Sequence, residues 1–323
     1  MITFEKLSQQ SQAFGSLTGM NVTEFHALFV AFAQAQNTHR AAATTTRRDH
    51  KPRQRRSGAG RRFAHSEQTR LLMALVWLRI YPTFEVLGFF FSLHKSNAHE
   101  NVADVLATLE SLCDFAFERP AKERKALGSV AAVMDAFPDV ALIIDAKEQR
   151  IRRPKSSKDE DKQRPYYSGK KKAHTLKSQV AVTPEGRIGA LSPSMPGGAT
   201  HDLTLLRKTK LLDYLDEGEA AMMDKGFDGI QKDFPHKQLY LPFKARRGHP
   251  LTEAQKVYNR HLSSYRIVVE HTNARLNQFG ALLQVWRGGR DGQHTQAVRV
   301  VAHLVNRRME KVPLKTYAAV AAV

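Results

Sequence analysis

The sequence predicts an α/β protein, a mixed sheet with helices on its faces, preceded by a smaller all-α unit. Three observations predict it. Two apolar runs, Asp139-Val140-Ala141-Leu142-Ile143-Ile144-Asp145 and Ala220-Ala221-Met222-Met223-Asp224, have the length and composition of buried strands, and each ends on a carboxylate. From about Ala131 onward such runs alternate with helical ones, the pattern of a sheet covered by helices. Before that point the apolar residues recur at helical spacing.

Asn21-Val22-Thr23-Glu24 has the form of an N-cap with its partner three residues on, and Phe25, Leu28, Phe29 and Phe32 follow, so residues 1–39 read as a short helical arm. Over 40–62 apolar residues nearly vanish, and Arg40, Arg47, Arg48, Lys51, Arg53, Arg55, Arg56, Arg61 and Arg62 face only Asp49. This is a basic linker, predicted to be disordered alone; ordering along phosphates and a solvated tether both stay open. Ser66 is placed to cap a helix carrying Leu71, Leu72, Leu75 and Leu78, which must end at Tyr81-Pro82-Thr83 because proline lacks the donor to continue it. A short apolar helix, Phe84 to Phe91, comes next. A third, starting at Ser96, buries Val102, Val105, Leu106, Leu109 and Leu112, with His94, Lys95, Ser96, Asn97, His99 and Asn101 at its polar start. Residues 63–130 thus have the layout of a helix-turn-helix, whose last helix lays its N-terminal side chains along base edges. A three-helix structural module fits the periodicity equally.

Residues 131–312 form the α/β domain, and 313–323 a tail. Within the domain, Thr175–Val182 and Arg187–Leu191 predict a hairpin across Pro184-Glu185-Gly186. A helix over Asp202–Leu215, a short strand over Gln238–Phe243 and a long helix over Leu251–Phe279, interrupted near Ser263-Ser264, complete it.

The 323 residues carry 50 Lys and Arg against 31 Asp and Glu, a net charge of +19, which points to nucleic acid as the partner. A hydrophobic fraction of 42% is too rich for a disordered chain. The longest uncharged apolar stretch, Leu71 to Leu78, stops at Arg79, far short of the roughly 20 residues of a membrane span. Met1 to Gln10 lacks the basic start and apolar block of a secretory signal. With Cys113 alone, no internal disulfide forms and no cysteine pair holds zinc, so the chain reads as intracellular and any metal sits on carboxylates.

Glu270 lies 46 residues beyond Asp224, and Asp224 lies 79 beyond Asp145. Arg266, Glu270 and Asn277 share one face of the last long helix. That face packed on the strand ends would gather carboxylates whose repulsion a divalent cation relieves, and hard oxygens select magnesium or manganese. Two such ions clamp an in-line phosphoryl displacement. Taken singly, a strand-end Asp is also a turn cap, and Arg266 with Glu270 a surface pair.

An ordered set of motifs narrows the choice: Ile144-Asp145 with Arg153-Pro154, the block Tyr166-Tyr167-Ser168-Gly169-Lys170-Lys171-Lys172-Ala173-His174, the pair His201-Asp202, Asp224-Lys225-Gly226-Phe227, and Arg266 with Glu270. In this order they resemble the DDE transposases of the insertion-sequence-five and Harbinger-like group, and Arg61 to Glu110 is similar to the helix-turn-helix of bacterial members. The resemblance implies a ribonuclease-H-like fold and two divalent ions, Mg2+ or Mn2+, on Asp145, Asp224 and Glu270 as catalytic and metal residues. It implies double-stranded DNA as partner, both the terminal inverted repeats of a mobile element and the target. Joining paired ends implies at least a homodimer on DNA, with no membrane association. The setting is the bacterial cytoplasm, or the nucleus of a eukaryotic host.

Two positions depart from the family pattern. Asn277 stands where a DNA-contacting Lys is frequent, with Arg275 nearby as a substitute. Ser263 stands where a Tyr commonly precedes the Arg, with Tyr265 adjacent to Arg266. His201 and Asp202 have two open readings, an auxiliary role at the site and a helix cap. The stretch Lys147 to Lys177 holds twelve basic residues, Lys170, Lys171 and Lys172 among them, suited to gripping phosphates, with Tyr166 and Tyr167 able to stack on bases. Arg266, Arg275 and Asn277 join these as DNA contacts, and Trp286 reads either as core or as a base wedge. A domesticated or inactive copy that only binds DNA as a repressor is the alternative function. An RNA-binding basic protein would leave the strand-end aspartates unexplained.

Overall fold

The structure, a computed structural model, describes residues 1–46, 63–115, 137, 139–155, 163–289 and 292–311. Most of the basic linker, residues 116–136, part of the basic stretch after Asp145 and the tail lie outside the described residues. Two compact units are present. The first comprises Met1–Asp114 with Gln278–Leu283 and Gln296–His303, and the second takes the rest of the described chain.

In the first unit, α1 (Phe4–Leu7), α2 (Ser11–Thr18) and α3 (Val22–Thr46) share a core with α4 (Glu67–Ile80), α5 (Phe84–Phe91) and α6 (Lys95–Ser111). The arm is therefore packed on the trio: Phe4, Phe14, Phe25, Leu28 and Phe32 are buried, and the Phe4 amide donates to Thr69 Oγ1. At the start of α3 the Asn21 amide donates to Glu24 Oε2 and the Glu24 amide to Asn21 Oδ1, as their spacing predicts. α4 is buried on every side from Thr69 to Leu78, the mark of a central helix. Its one deep charge, Arg70, donates to Asn101 Oδ1, pairs with Asp104 and lies over the Phe63 ring. Ser66, Thr83 and His94 cap the three helices. Tyr81 and Ser92 turn the chain between them in left-handed conformation. Cys113, half-buried, has its thiol pushed up to about 12, mainly by desolvation, and is an unreactive thiol.

In the second unit, β1 (Val140–Arg150) pairs antiparallel with β3 (Ala173–Val182), and β3 with β2 (Tyr167–Ser168), β4 (Ile188–Leu191) and β5 (Met195–Pro196). On its other side β1 runs parallel to β6 (Ala220–Met222), and β6 parallel to β7 (Gln238–Tyr240). The sheet order β2-β3-β1-β6-β7 is mixed and flanked by helices, as expected for a ribonuclease-H-like domain. The predicted hairpin is β3–β4. One apolar cluster unites Leu142 and Ile144 of β1 with Leu206, Leu211, Leu212, Met223, Phe227 and Ile230. Each fully buried Leu or Phe in it contributes about 1.5–3 kcal/mol.

Two helices differ from expectation. α7 (Asp202–Thr209) stops early because Lys210 takes φ 53°, and a separate 3-10 turn, Leu211–Tyr214, carries the remaining apolar residues. α8 (Glu253–Leu276) is continuous through Ser263 and Ser264. Its buried stripe, Leu262, Tyr265, Val269, Thr272 and Leu276, passes beside the serines, which face solvent, and Thr252 with Gln255 closes a capping box at its start. The short α9 (Gly280–Leu283) and α10 (Gln293–Lys311) follow.

The pleat of β1 sends Asp145, Lys147 and Gln149 to one face. Gln149 ends on His294, whose Nε2 is 2.8 Å from Gln149 Oε1 while its Nδ1 is 2.6 Å from Ser194 Oγ. Burial, with help from Lys147, lowers His294 to about 4. A histidine held neutral in the fold contributes stability that is complete above its ordinary 6.5 and is lost as pH falls towards 4, because the unfolded chain takes up the proton first. About 3 kcal/mol should disappear over that window. Urea midpoints of wild type and His294→Gln between pH 7 and 4 check this: the acid-induced loss should be clearly shallower in the variant.

Candidate active site

α8 covers the face of β1 that carries Asp145. Arg266 Nη2 stands 3.5 Å from Asp145 Oδ1, and Asn273 Nδ2 donates to Asp145 Oδ2 at 2.9 Å. One helix face thus holds both oxygens of a carboxylate that sits at the heart of the sheet. Two residues further along β1, Lys147 Nζ donates to Asn277 Oδ1. Burial pushes that ammonium down to about 8.

Asp224 follows β6, the parallel neighbour of β1, and its Oδ1 accepts the Gly226 N–H at 2.7 Å. The third carboxylate at this place is Asp202, in the first turn of α7. A Cβ on Gly226 would stand 2.7 Å from Asp202 Oδ2 and 2.9 Å from Asp224 Oδ1, so those oxygens are under about 6 Å apart across a gap that only glycine leaves open. Asp145 feels both. Burial raises its pKa, Arg266 pulls it back, and Asp224 and Asp202 push it up again, for a net rise.

Asp202 is held from behind by Lys177. The Lys177 Nζ lies 2.8 Å from Asp202 Oδ1 and 3.2 Å from Glu148 Oε1, its register partner on β1, and its side chain is 9% exposed. Thr175 Oγ1 donates to Glu148 Oε2. Burial pushes the Lys177 ammonium down, but Asp202 and Glu148 together raise it above its ordinary value. Burial likewise pushes Glu148 up, and the Ser168 hydroxyl and Lys177 outweigh it, leaving the carboxyl low. His201 takes the N-cap position of α7 without a side-chain cap bond and is exposed; Asp202 is engaged with Lys177.

Glu270 is exposed on the turn of α8 between Arg266 and Asn273. The structure thus brings Asp145, Asp224 and Asp202 together with Arg266, and leaves Glu270 facing solvent at their edge. Among the described residues no three His, Cys, Asp or Glu side chains enclose a metal position. The residues nevertheless fit a divalent cation: the donors are hard oxygens, the Gly226 gap separates two of them, and Asn273 Oδ1 is buried beside Asp145 without a hydrogen-bond partner. Filling that gap should be costly to metal and cheap to the fold. Gly226→Ala is expected to weaken Mn2+ binding by roughly 10–100-fold, read by titration calorimetry, with a thermal midpoint near that of wild type because only carboxylate tips must move.

The proposed DNA contacts fall in separate places. His94, Lys95, Ser96, Asn97 and His99 are all exposed around the start of α6; Lys95 pairs with Glu85, and His99 packs its ring edge on Phe84. Lys170, Lys171 and Lys172 form the exposed turn between β2 and β3. Arg275 donates to the Met309 sulfur, and Asn277 is engaged by Lys147. Trp286 is core, 2% exposed, with its indole N–H on Gly289 O. Sequence reasoning missed Asn273 and the special place of Lys177. Asn273 was within reach of it, seven residues after Arg266 on the same helical face.

Over residues 144–306, half of the chain, the sequence matches the family described as DDE superfamily endonuclease. It is also 30% identical over 229 residues to a protein of Microchaete diplosiphon named "Probable transposase for insertion sequence element IS702", an alignment covering 71% of this chain and 76% of that one. Both Asp145 and Glu270 fall inside the matched family segment, as do Asp202 and Asp224.

Proposed function

This chain belongs to the DDE superfamily endonucleases, and from that membership we propose that it is the DNA transposase of an insertion sequence. Its DNA partners are the terminal inverted repeats of the element and a target duplex. The narrower placement in the insertion-sequence-five and Harbinger-like group rests on the ordered motifs from Ile144-Asp145 to Glu270. The observation that carries the reading is the meeting of Asp145, Asp224 and Asp202 beneath the helix face that bears Arg266, Glu270 and Asn273.

Divalent ions are implied by the family, and two of them, Mg2+ or Mn2+, would be held by Asp145, Asp224 and Glu270. When bound they neutralise charge developing on the scissile phosphate and lower the pKa of the attacking water or 3′ hydroxyl. Arg266 and Asn273 orient Asp145 by occupying one lone pair on each oxygen. Glu270 lies between these two residues along α8, and it would serve as the third ligand by turning its carboxylate towards Asp145. Lys177 keeps Asp202 beside Asp224 as an auxiliary acidic group. The unit over 63–130 reads the element ends through His94, Lys95, Ser96, Asn97 and His99, while 131–312 cuts and joins. Lys170 to Lys172, Arg266, Arg275 and Asn277 add phosphate contacts, and paired ends call for a homodimer or larger on DNA. Among the described residues no helix is long and apolar enough to cross a membrane, and the proposed setting is the bacterial cytoplasm.

Supercoiled plasmid carrying the flanking repeats tests this. Wild type with Mg2+ or Mn2+ should nick it to leave 3′ hydroxyl ends, EDTA should stop the reaction, and Glu270→Gln should bind the DNA without cutting. Binding without cutting by wild type would overturn the enzymatic reading in favour of a DNA-binding repressor derived from a transposase.

A further inference from the structure

A second basic feature of the α/β unit lies beyond the end of β1, apart from the carboxylates. There Ile151 and Trp286 form a parallel backbone bridge, with the Trp286 amide donating to Arg150 O at 2.8 Å and the Arg152 amide to Trp286 O at 3.3 Å. The two stitched segments line a half-open pocket of about 200 Å3. Its walls are unlike on the two sides. Ile151, Pro154 and the 2%-exposed Trp286 make an apolar floor, while Arg152, Arg153, Lys155 and Arg287 supply four cations, and among the described residues none that lines it is acidic.

The cavity is built, not incidental. Arg153 donates through Nε to Gln163 Oε1 at 2.8 Å, and Gln163 Nε2 donates in turn to Pro154 O at 3.0 Å, so one guanidinium is oriented before any ligand arrives. The Gly288 backbone crosses the indole so closely that a Cβ there would stand 2.6 Å from a Trp286 ring carbon. Behind the indole, His294 packs edge-on at 5.2 Å between ring centroids and is itself tied to Ser194 and Gln149. Four cationic side chains around one apolar floor make the pocket attractive to an anion.

Size and polarity narrow the ligand. The volume is below the roughly 300–1,000 Å3 of pockets that take whole small molecules or cofactors. An apolar floor under a cationic rim suits a group with a sugar on one side and a phosphate on the other. The pocket lies about 20 Å from Asp145, six residues along an extended strand, so it cannot be part of the carboxylate centre.

We infer that this pocket is a subsite for a single phosphodiester of the bound DNA, its deoxyribose against Trp286 and Ile151 and its phosphate shared by Arg152, Arg153 and Arg287. The inference rests on the DNA-processing reading above and deepens it: one backbone phosphate away from the cut is gripped by several cations at once, which sets the position of the strand on the enzyme.

Salt dependence distinguishes a shared phosphate from a general basic surface. Each neutralised duplex phosphate contributes a slope of about 0.9 in log K against log salt. The full-length protein is titrated with a fluorescent random duplex in EDTA, so that no cutting intervenes. The triple variant Arg152→Gln/Arg153→Gln/Arg287→Gln should bind at least tenfold more weakly, with a slope smaller by about 1. If each arginine met its own phosphate, the slope would fall by nearly three times as much, and that result overturns the proposal. Exposed Lys208→Gln/Arg246→Gln/Arg247→Gln removes the same charge and should change the slope little; an equal change in both variants also overturns it. Single methylphosphonate substitutions along the duplex should reveal one position that weakens wild type and is silent in the pocket variant. Matching thermal midpoints and Trp286 fluorescence, read in a Trp77→Phe background, show that the fold is kept. Nicking by wild type with no binding change in the pocket variant would defeat the subsite and leave the endonuclease standing; absence of DNA binding by wild type would defeat both.

Discussion

Asp145→Asn is expected to lower nicking by about a thousandfold while leaving the metal-free protein at least as heat-resistant as wild type. The first half follows from the several kcal/mol of charge stabilisation that a carboxylate ligand helps to supply, each 1.4 kcal/mol being a factor of about ten. The second half follows from the neighbourhood. Asp145 is buried near Asp224 and Asp202, and Arg266 does not fully compensate for burial and that repulsion. An amide of the same shape keeps an acceptor for Arg266 and removes a like charge. Opposite signs for activity and stability separate a functional carboxylate from a structural one, which would lose both. Plasmid nicking alongside thermal melting in EDTA measures the two effects, and a variant that melts well below wild type while still cutting would refute the assignment.

Lys177→Met is expected to destabilise the fold by about 3–5 kcal/mol, the usual cost of removing one partner from a buried ion group. Two carboxylates, Glu148 and Asp202, would be left facing each other without their shared cation. The folded protein raises the Lys177 pKa, so its contribution is complete at neutral pH and is lost only as pH rises beyond 10.5 through the folded value. Urea unfolding at pH 7 therefore reads the whole effect. The triple change Lys177→Met/Glu148→Gln/Asp202→Asn should recover much of the loss, because no buried charge then lacks a partner. If the triple variant is no better than Lys177→Met, the ion group is not the source of the stability.

β6 and the first half of β1, Val140–Ile144, were legible because a buried strand segment is apolar throughout; β1 then continues past Asp145 to Arg150, so that carboxylate lies within the strand and not at its end as the sequence suggested. The β3–β4 hairpin was legible through Pro184-Glu185-Gly186, where Gly186 takes φ 84° at the turn. Two other features misled. Paired serines suggested a break in α8, but 263 and 264 lie off the buried stripe, where weak helix formers cost little. The apolar run to Leu215 suggested one helix, yet the left-handed Lys210 divides it. The site itself was half legible. Asp145 and Asp224 stood out by position, whereas Lys177 was one of twelve cations between Lys147 and Lys177, and nothing local separates a lysine that pairs across a sheet from one that waves in solvent. Burial and long-range pairing decide that difference, and neither is written in the residue's neighbours in sequence.

The first unit is assembled from distant parts of the chain: its N-terminal helices share their core with Gln278–Leu283 and Gln296–His303, where Ala281, Leu282, Val298 and Val301 are buried. During synthesis the helices before Asp114 therefore wait for residues made near the end of translation. A truncated product would carry the helices proposed to read DNA with part of their core open to water. If those helices bind element ends as proposed, a copy of the gene cut short by a frameshift or stop codon is poorly suited to compete with its intact sibling for them. Expressed alone, Met1–Asp114 should bind a hydrophobic dye and unfold without a cooperative transition, while the full chain should do neither.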